Sequence, residues 1–157
     1  MFGLFRRKEE QEVRNLRELF EKRSEEVENT AWISTAIVGT DGLKIFLKKR
    51  NDNYNVERLL PYAQKLFQSA LKFHEKSHPG LKIANFEPPR VLIYQMDTRE
   101  IVFVVKGFSK KLDFFVVYIV DPELSPHFSI DKGLKKLRSW VFKISQDIDK
   151  ILGRGKH

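Results

Sequence analysis

Seven consecutive apolar residues, Phe114-Phe115-Val116-Val117-Tyr118-Ile119-Val120, constrain the fold more than any other stretch of the chain. The run is short and rich in β-branched and aromatic side chains, which marks a strand and not a helix. Successive side chains of a strand point to opposite faces, so a strand apolar at every position needs cover on both. A central strand between helices is therefore expected. Two further apolar runs precede it, Arg90 to Met96 and Glu100 to Lys106, with Asp97-Thr98 and Ser109-Lys110-Lys111 as the intervening turns. Connections this short make neighbouring strands antiparallel.

Two more strands lie nearer the N-terminus. Ala31 to Val38 is rich in Trp, Ile, Thr and Val, and Thr40-Asp41-Gly42 separates it from Leu43, Ile45 and Leu47. Asp-Gly between apolar runs signals a tight hairpin in which both central residues adopt positive φ. Lys44, Phe46 and Lys48 alternate with the apolar positions, so this second strand should have one mostly polar face.

Three helices complete the pattern. Glu9 to Glu28 carries an apolar stripe at Val13, Leu16, Leu19/Phe20 and Val27. Val56 to Lys76 repeats apolar residues every three or four positions, and Pro61 either opens its regular part or follows a separate, kinked first turn. The last helix runs from about Ile130 to Leu152, with Ser129 as N-cap and Leu134, Leu137, Val141, Ile144, Ile148 and Ile151 on one stripe. Trp140 and Phe142 lie off that stripe, which implies wider burial of this helix. The expected fold class is α+β: one five-stranded antiparallel sheet with helices on both faces, in the order α-β-β-α-β-β-β-α, over a single domain spanning 1–157. Residues 1–8 and 153–157 are expected to be flexible ends.

Composition narrows the function classes. The absence of Cys rules out disulfides and thiol nucleophiles, and with no signal-like apolar segment it makes a cytoplasmic location the expectation. A net charge of +8 invites an anionic partner, but the basic residues are spread along the chain and acidic residues accompany them in the first helix. Neither Gly-rich nucleotide fingerprint is present. Phe2, Leu4 and Phe5 ahead of Arg6-Arg7-Lys8 could dock on an acidic membrane.

The residues Ala36-Ile37-Val38-Gly39-Thr40-Asp41-Gly42-Leu43-Lys44-Ile45, together with the strand-turn-strand spacing from Val91 to Val120, resemble the Roadblock/dynein-light-chain family. That family shares the order of elements; profilin-like and longin domains share much of the layout. Pro88-Pro89 and Pro61 depart from the family pattern at the helix-to-strand junctions. The resemblance implies a homodimer formed through the middle helix and the third strand, acting as a scaffold or regulator of a small Ras-like GTPase, with no cofactor. Leu59, Ala63, Phe67, Ala70 and Leu71 on the helix, and Val91, Leu92, Ile93, Tyr94 and Met96 on the strand, are the residues this assigns to the dimer interface. The strand adds its own argument, because an apolar edge aggregates unless something covers it. The linker from Leu81 to Arg90 is the alternative cover. A second reading is a profilin-like or PAS-like sensor with a pocket lined by Phe103, Phe115 and Tyr118.

Two motifs tempt an enzymatic or nucleic-acid reading. His74-Glu75-Lys76-Ser77-His78 matches the zinc-peptidase signature, which needs both imidazoles on one helical face. Pro79 disfavours the helical conformation at His78, so the match is taken as chance and no metal or catalytic site is assigned. Lys106-Gly107-Phe108-Ser109 resembles the opening of an RNA-recognition strand, but Lys110-Lys111 interrupts it, and the element order differs. Nucleic acid is an unlikely partner on these grounds.

Overall fold

The computed structural model describes residues 2–77 and 90–153. The order of elements is α1 (Phe2–Ser24), β1 (Trp32–Gly39), β2 (Lys44–Lys49), α2 (Ala63–Ser77), β3 (Val91–Gln95), β4 (Ile101–Lys106), β5 (Phe114–Val120) and α3 (Ile130–Gly153). The five strands form one antiparallel sheet in the order β2-β1-β5-β4-β3. The all-apolar run is β5, at the centre of the sheet, and each of its seven residues is buried.

The alternation along the strands sorts the core into two layers. Phe103, Val105, Phe114, Val116, Tyr118 and Ile37 face α1 and α3. Ala36, Val38, Val102, Val104, Phe115 and Val117 face α2. In the first layer Leu137, Val141, Ile144 and Ile148 of α3 are buried, as their spacing predicts. Trp140 is buried too, and its indole N–H donates to the Arg23 carbonyl at 2.9 Å. Phe142 differs from the expectation: it is 49% exposed, with its ring edge-on to Phe108. Tyr118 donates its hydroxyl to the Val27 carbonyl at 2.6 Å and accepts from the Asn29 amide. Burial, opposed by the Asn29 bond and assisted by Glu28, pushes its phenol up to about 12.

Several boundaries depart from the sequence reading. The first helix begins at Phe2 and not at Glu9, so it takes in Gly3 and the basic run Arg6-Arg7-Lys8. Val13, placed on the apolar stripe by its spacing, is 49% exposed. Pro61 sits in a separate 3₁₀ turn, Leu60–Tyr62, after another at Val56–Arg58, so the regular helix starts at Ala63. The Asp-Gly hairpin uses three loop residues. Gly42 N–H donates to the Gly39 carbonyl at 2.9 Å, Gly39 N–H donates to the Leu43 carbonyl at 3.0 Å, and only Gly42 has positive φ, at +86°. This is a turn followed by a left-handed residue, so Asp41 stays at negative φ and instead accepts from Leu43 N–H. A register shift between Ile37 and Val38 accompanies it, and both Ile45 and Phe46 pack on the two-helix layer. The shift is why β2 lacks the clean polar face that simple alternation predicts.

Candidate functional site

The two edges of the sheet are built differently. β2 carries Lys44, Lys48 and Lys49. Lys48 reaches Glu28 at 2.8 Å, while Lys49 donates to the Tyr54 carbonyl at 3.0 Å and lies 3.6 Å from Glu57. Lysines along an edge discourage another strand from pairing there. β3 is Val91-Leu92-Ile93-Tyr94-Gln95, without a charge. Its inner side pairs with β4 from Val91↔Val105 to Gln95↔Ile101, and among the described residues no strand lies on its outer side. The alternative cover, Leu81 to Arg90, lies outside the described residues except for Arg90.

The residues assigned to this surface divide into three groups. Ala63 and Phe67 are buried beneath α2, with the Phe67 ring stacked on Phe115 at 4.7 Å, so they hold the helix to the sheet. Leu59, Ala70, Val91, Leu92 and Tyr94 are half-buried, and Leu71 and Ile93 stand at 36% and 38% exposure. Leu92 and Tyr94 lean on the α2 layer, whereas Val91 leans on the opposite one. Burial raises the Tyr94 phenol above its ordinary range. Met96 falls outside the strand: its N–H donates to the Glu100 carbonyl at 2.8 Å and closes the β3–β4 hairpin.

Sequence reasoning passed over Tyr62 and Phe73, and read Leu66 only as part of the buried repeat. All three are exposed, at 60%, 66% and 38%. They recur at four- and seven-residue spacing on one flank of the α2 segment, a second apolar stripe beside the buried one. That flank faces the open edge. Between Tyr62, Leu66 and Ser69 on one side and Tyr94, Val104 and Val117 on the other lies a cavity of about 360 Å³. The surface therefore combines an uncharged strand edge, an apolar cavity beside it and an apolar helix flank. It holds no cluster of groups that would perform acid–base or nucleophilic chemistry.

The pocket expected from Phe103, Phe115 and Tyr118 does not form. Phe103 and Tyr118 meet edge-on at 5.9 Å in the two-helix layer, while Phe115 points into the α2 layer. Among the described residues there is no group of three or more His, Cys, Asp or Glu side chains placed to hold a metal. His78 of the zinc-peptidase match lies outside the described residues. No described helix is long and apolar enough to cross a membrane.

No protein-family model matches the sequence, and no curated protein matches it significantly. Solved structures do match. Myxococcus xanthus MglB superposes with a TM-score of 0.57 at 8% identity, covering 90% of each chain. A Roadblock/LC7 domain from Streptomyces avermitilis gives 0.54 at 11% identity, over 75% of this chain and 86% of that one. An MglB described in a tetrameric arrangement gives 0.61 at 11% identity, over 84% of this chain and 91% of that one. With the sheet order and the helical layers on both faces, these likenesses show that the chain has a Roadblock-like fold.

Proposed function

We propose that this protein is a non-catalytic cytoplasmic adaptor that pairs with a second copy through β3 and the α2 flank, and that the pair binds or regulates a small Ras-like GTPase. The observation that carries this reading is the uncharged β3 edge beside an apolar cavity, in a sheet whose other edge is protected by lysines. Two copies of β3 related by a two-fold axis would satisfy each other's free backbone groups and continue the sheet. Tyr62, Leu66 and Phe73 would then meet apolar surface from the mate. The GTPase role follows from the Roadblock resemblance, and the likeness to MglB structures supports the Roadblock-like fold on which it rests.

The test has two parts. Light scattering after gel filtration should give twice 18.5 kDa, and the mass should persist on dilution. Calorimetric titration against Ras-like GTPases from the same organism, loaded with GDP or a GTP analogue, should then find one that prefers a nucleotide state by about tenfold, a coupling of ordinary size. A dimer that binds none of them in either state would overturn the GTPase assignment. A monomer would remove the argument from the open edge and favour ligand binding in the α2 cavity.

A further inference from the structure

The outward face of α3 is a basic ridge. Lys132, Lys135, Lys143 and Lys150 are exposed and share one side of the helix with Ser139 and Gln146. Their angular spread is about 80° at 100° per residue, and no carboxylate falls within it. Lys136, also exposed, lies just beside the ridge, while exposed Arg138 lies farther round, beyond Asp131 and Asp149. None of these six cations takes part in an ion pair with a described residue. The acidic residues of the helix sit off the ridge, and two of them are engaged elsewhere. Asp147 pairs with Arg23 at 2.9 Å, and Asp149 accepts from Ser109 Oγ at 2.6 Å and from Lys110 N–H at 3.0 Å. The neighbouring helix is a useful contrast, because the exposed side of α1 mixes Arg14, Arg17 and Lys22 with Glu10, Glu18 and Glu21.

From this arrangement we infer that α3 docks the protein on an acidic phospholipid surface. The ridge from Lys132 to Lys150 is about 27 Å long at 1.5 Å per residue, long enough for all four lysines to reach one lipid surface. Exposed Phe142, about 20° beyond its edge, supplies an apolar group that can enter the headgroup boundary while the lysines meet phosphates. A single-stranded nucleic acid would call for successive aromatic platforms, and Phe142 is the only exposed ring on the helix. α3 packs over β4 and α1 over β2. Pairing through β3, which rests on the reading proposed above, would bring the two ridges together on the side of the sheet opposite α2.

Vesicle co-sedimentation of the full chain tests the inference, using phosphatidylcholine with and without about one-third phosphatidylserine. Binding is expected only to the anionic vesicles and should fall steeply with salt. Each basic side chain near such a surface is worth about a fivefold factor, so Lys135→Gln, Lys143→Gln and Lys150→Gln together should weaken binding about a hundredfold. The corresponding triple Lys→Arg variant should retain it. Because these positions are exposed, the circular dichroism and melting temperature of the variants should match the parent. Equal binding to neutral vesicles, or no binding to either, overturns the inference. So does a loss caused by Arg6→Gln, Arg7→Gln and Lys8→Gln but not by the α3 substitutions. Tight capture of a single-stranded RNA with no vesicle binding would reassign the ridge to nucleic acid. None of these outcomes depends on whether a GTPase binds.

Discussion

The two edge strands of this sheet come from the same architecture and solve opposite problems. β2 has lysines at three of its six positions, with Lys48 tied to Glu28 and Lys49 to Glu57 and the Tyr54 carbonyl, and Phe46 anchors it to the two-helix layer against Phe20. β3 has no charge, and its outermost apolar group, Ile93, is 38% exposed. An edge blocked by charge ends a sheet, whereas an uncharged apolar edge invites another strand. On the reading proposed above, the difference marks β3 as the edge that pairs, without any catalytic motif. It also explains why the surface carries no signature: its chemistry lies in backbone groups and in the absence of lysine.

Placing a lysine where β3 lacks one should break the contrast most directly. Ile93→Lys copies the protection found on β2, and in a dimer it would set two like charges near the two-fold axis. We expect at least a hundredfold weakening of self-association, about 3 kcal/mol, with the folded monomer changed by less than about 0.5 kcal/mol because the side chain is partly exposed. Sedimentation equilibrium and urea denaturation separate the two quantities. An Ile93→Lys protein that remains a tight dimer would place the interface elsewhere.

The central strand serves as the reference between the edges, and its Tyr118 is an alkaline probe. Protonated Tyr118 is favoured in the folded state, whose phenol titrates at about 12 against an ordinary value near 10. The stability this provides is complete below pH 10 and is lost as pH rises towards 12, a decline of about 2–3 kcal/mol. Tyr118→Phe should flatten that decline. At neutral pH it should cost about 1 kcal/mol, because the Val27 carbonyl and the Asn29 amide lose their shared partner. Urea midpoints measured from pH 8 to 12 check both effects. An unchanged alkaline slope in the variant would show that another group controls it.

Much of this was legible in the sequence, for reasons that particular residues make plain. Phe114 to Val120 could only be a central strand, and the helical spacing of Leu137, Val141, Ile144 and Ile148 identified the buried stripe of α3. The edge position of β3 came from the layout that the family resemblance implies, and its uncharged, apolar composition argued only that such an edge needs cover. What escaped were features that depend on a single added residue or on neighbours distant in the chain. The register shift at Ile37/Val38 brings both Ile45 and Phe46 to one layer, which period-2 counting cannot anticipate. The exposure of Tyr62, Leu66 and Phe73 depends on which side of α2 meets the sheet. Two apolar stripes lie side by side there, and the Phe67–Phe115 stack decides between them.

The smallest effects should come from the hairpins that deliver the two edges. Both close in the same way: Arg99 N–H donates to the Met96 carbonyl at 2.9 Å, as Gly42 N–H donates to the Gly39 carbonyl. The left-handed position is Gly42 at φ +86° in the β1–β2 hairpin and Arg99 at φ +81° in the β3–β4 hairpin. Glycine takes this conformation freely, whereas a residue with a Cβ pays about 1 kcal/mol. Gly42→Ala should therefore destabilise by about 1 kcal/mol through its backbone alone, since the added Cβ would meet Pro61 at an ordinary 3.5 Å. Arg99→Gly should stabilise by a somewhat smaller amount, because it also loses an exposed ion pair with Glu123 and gains entropy in the unfolded chain. Thermal melts of the two variants at matched concentration make the comparison. Opposite signs would confirm that the open edge is held by the less relaxed hairpin, while a destabilised Arg99→Gly would mean that the Arg99–Glu123 contact outweighs the backbone cost.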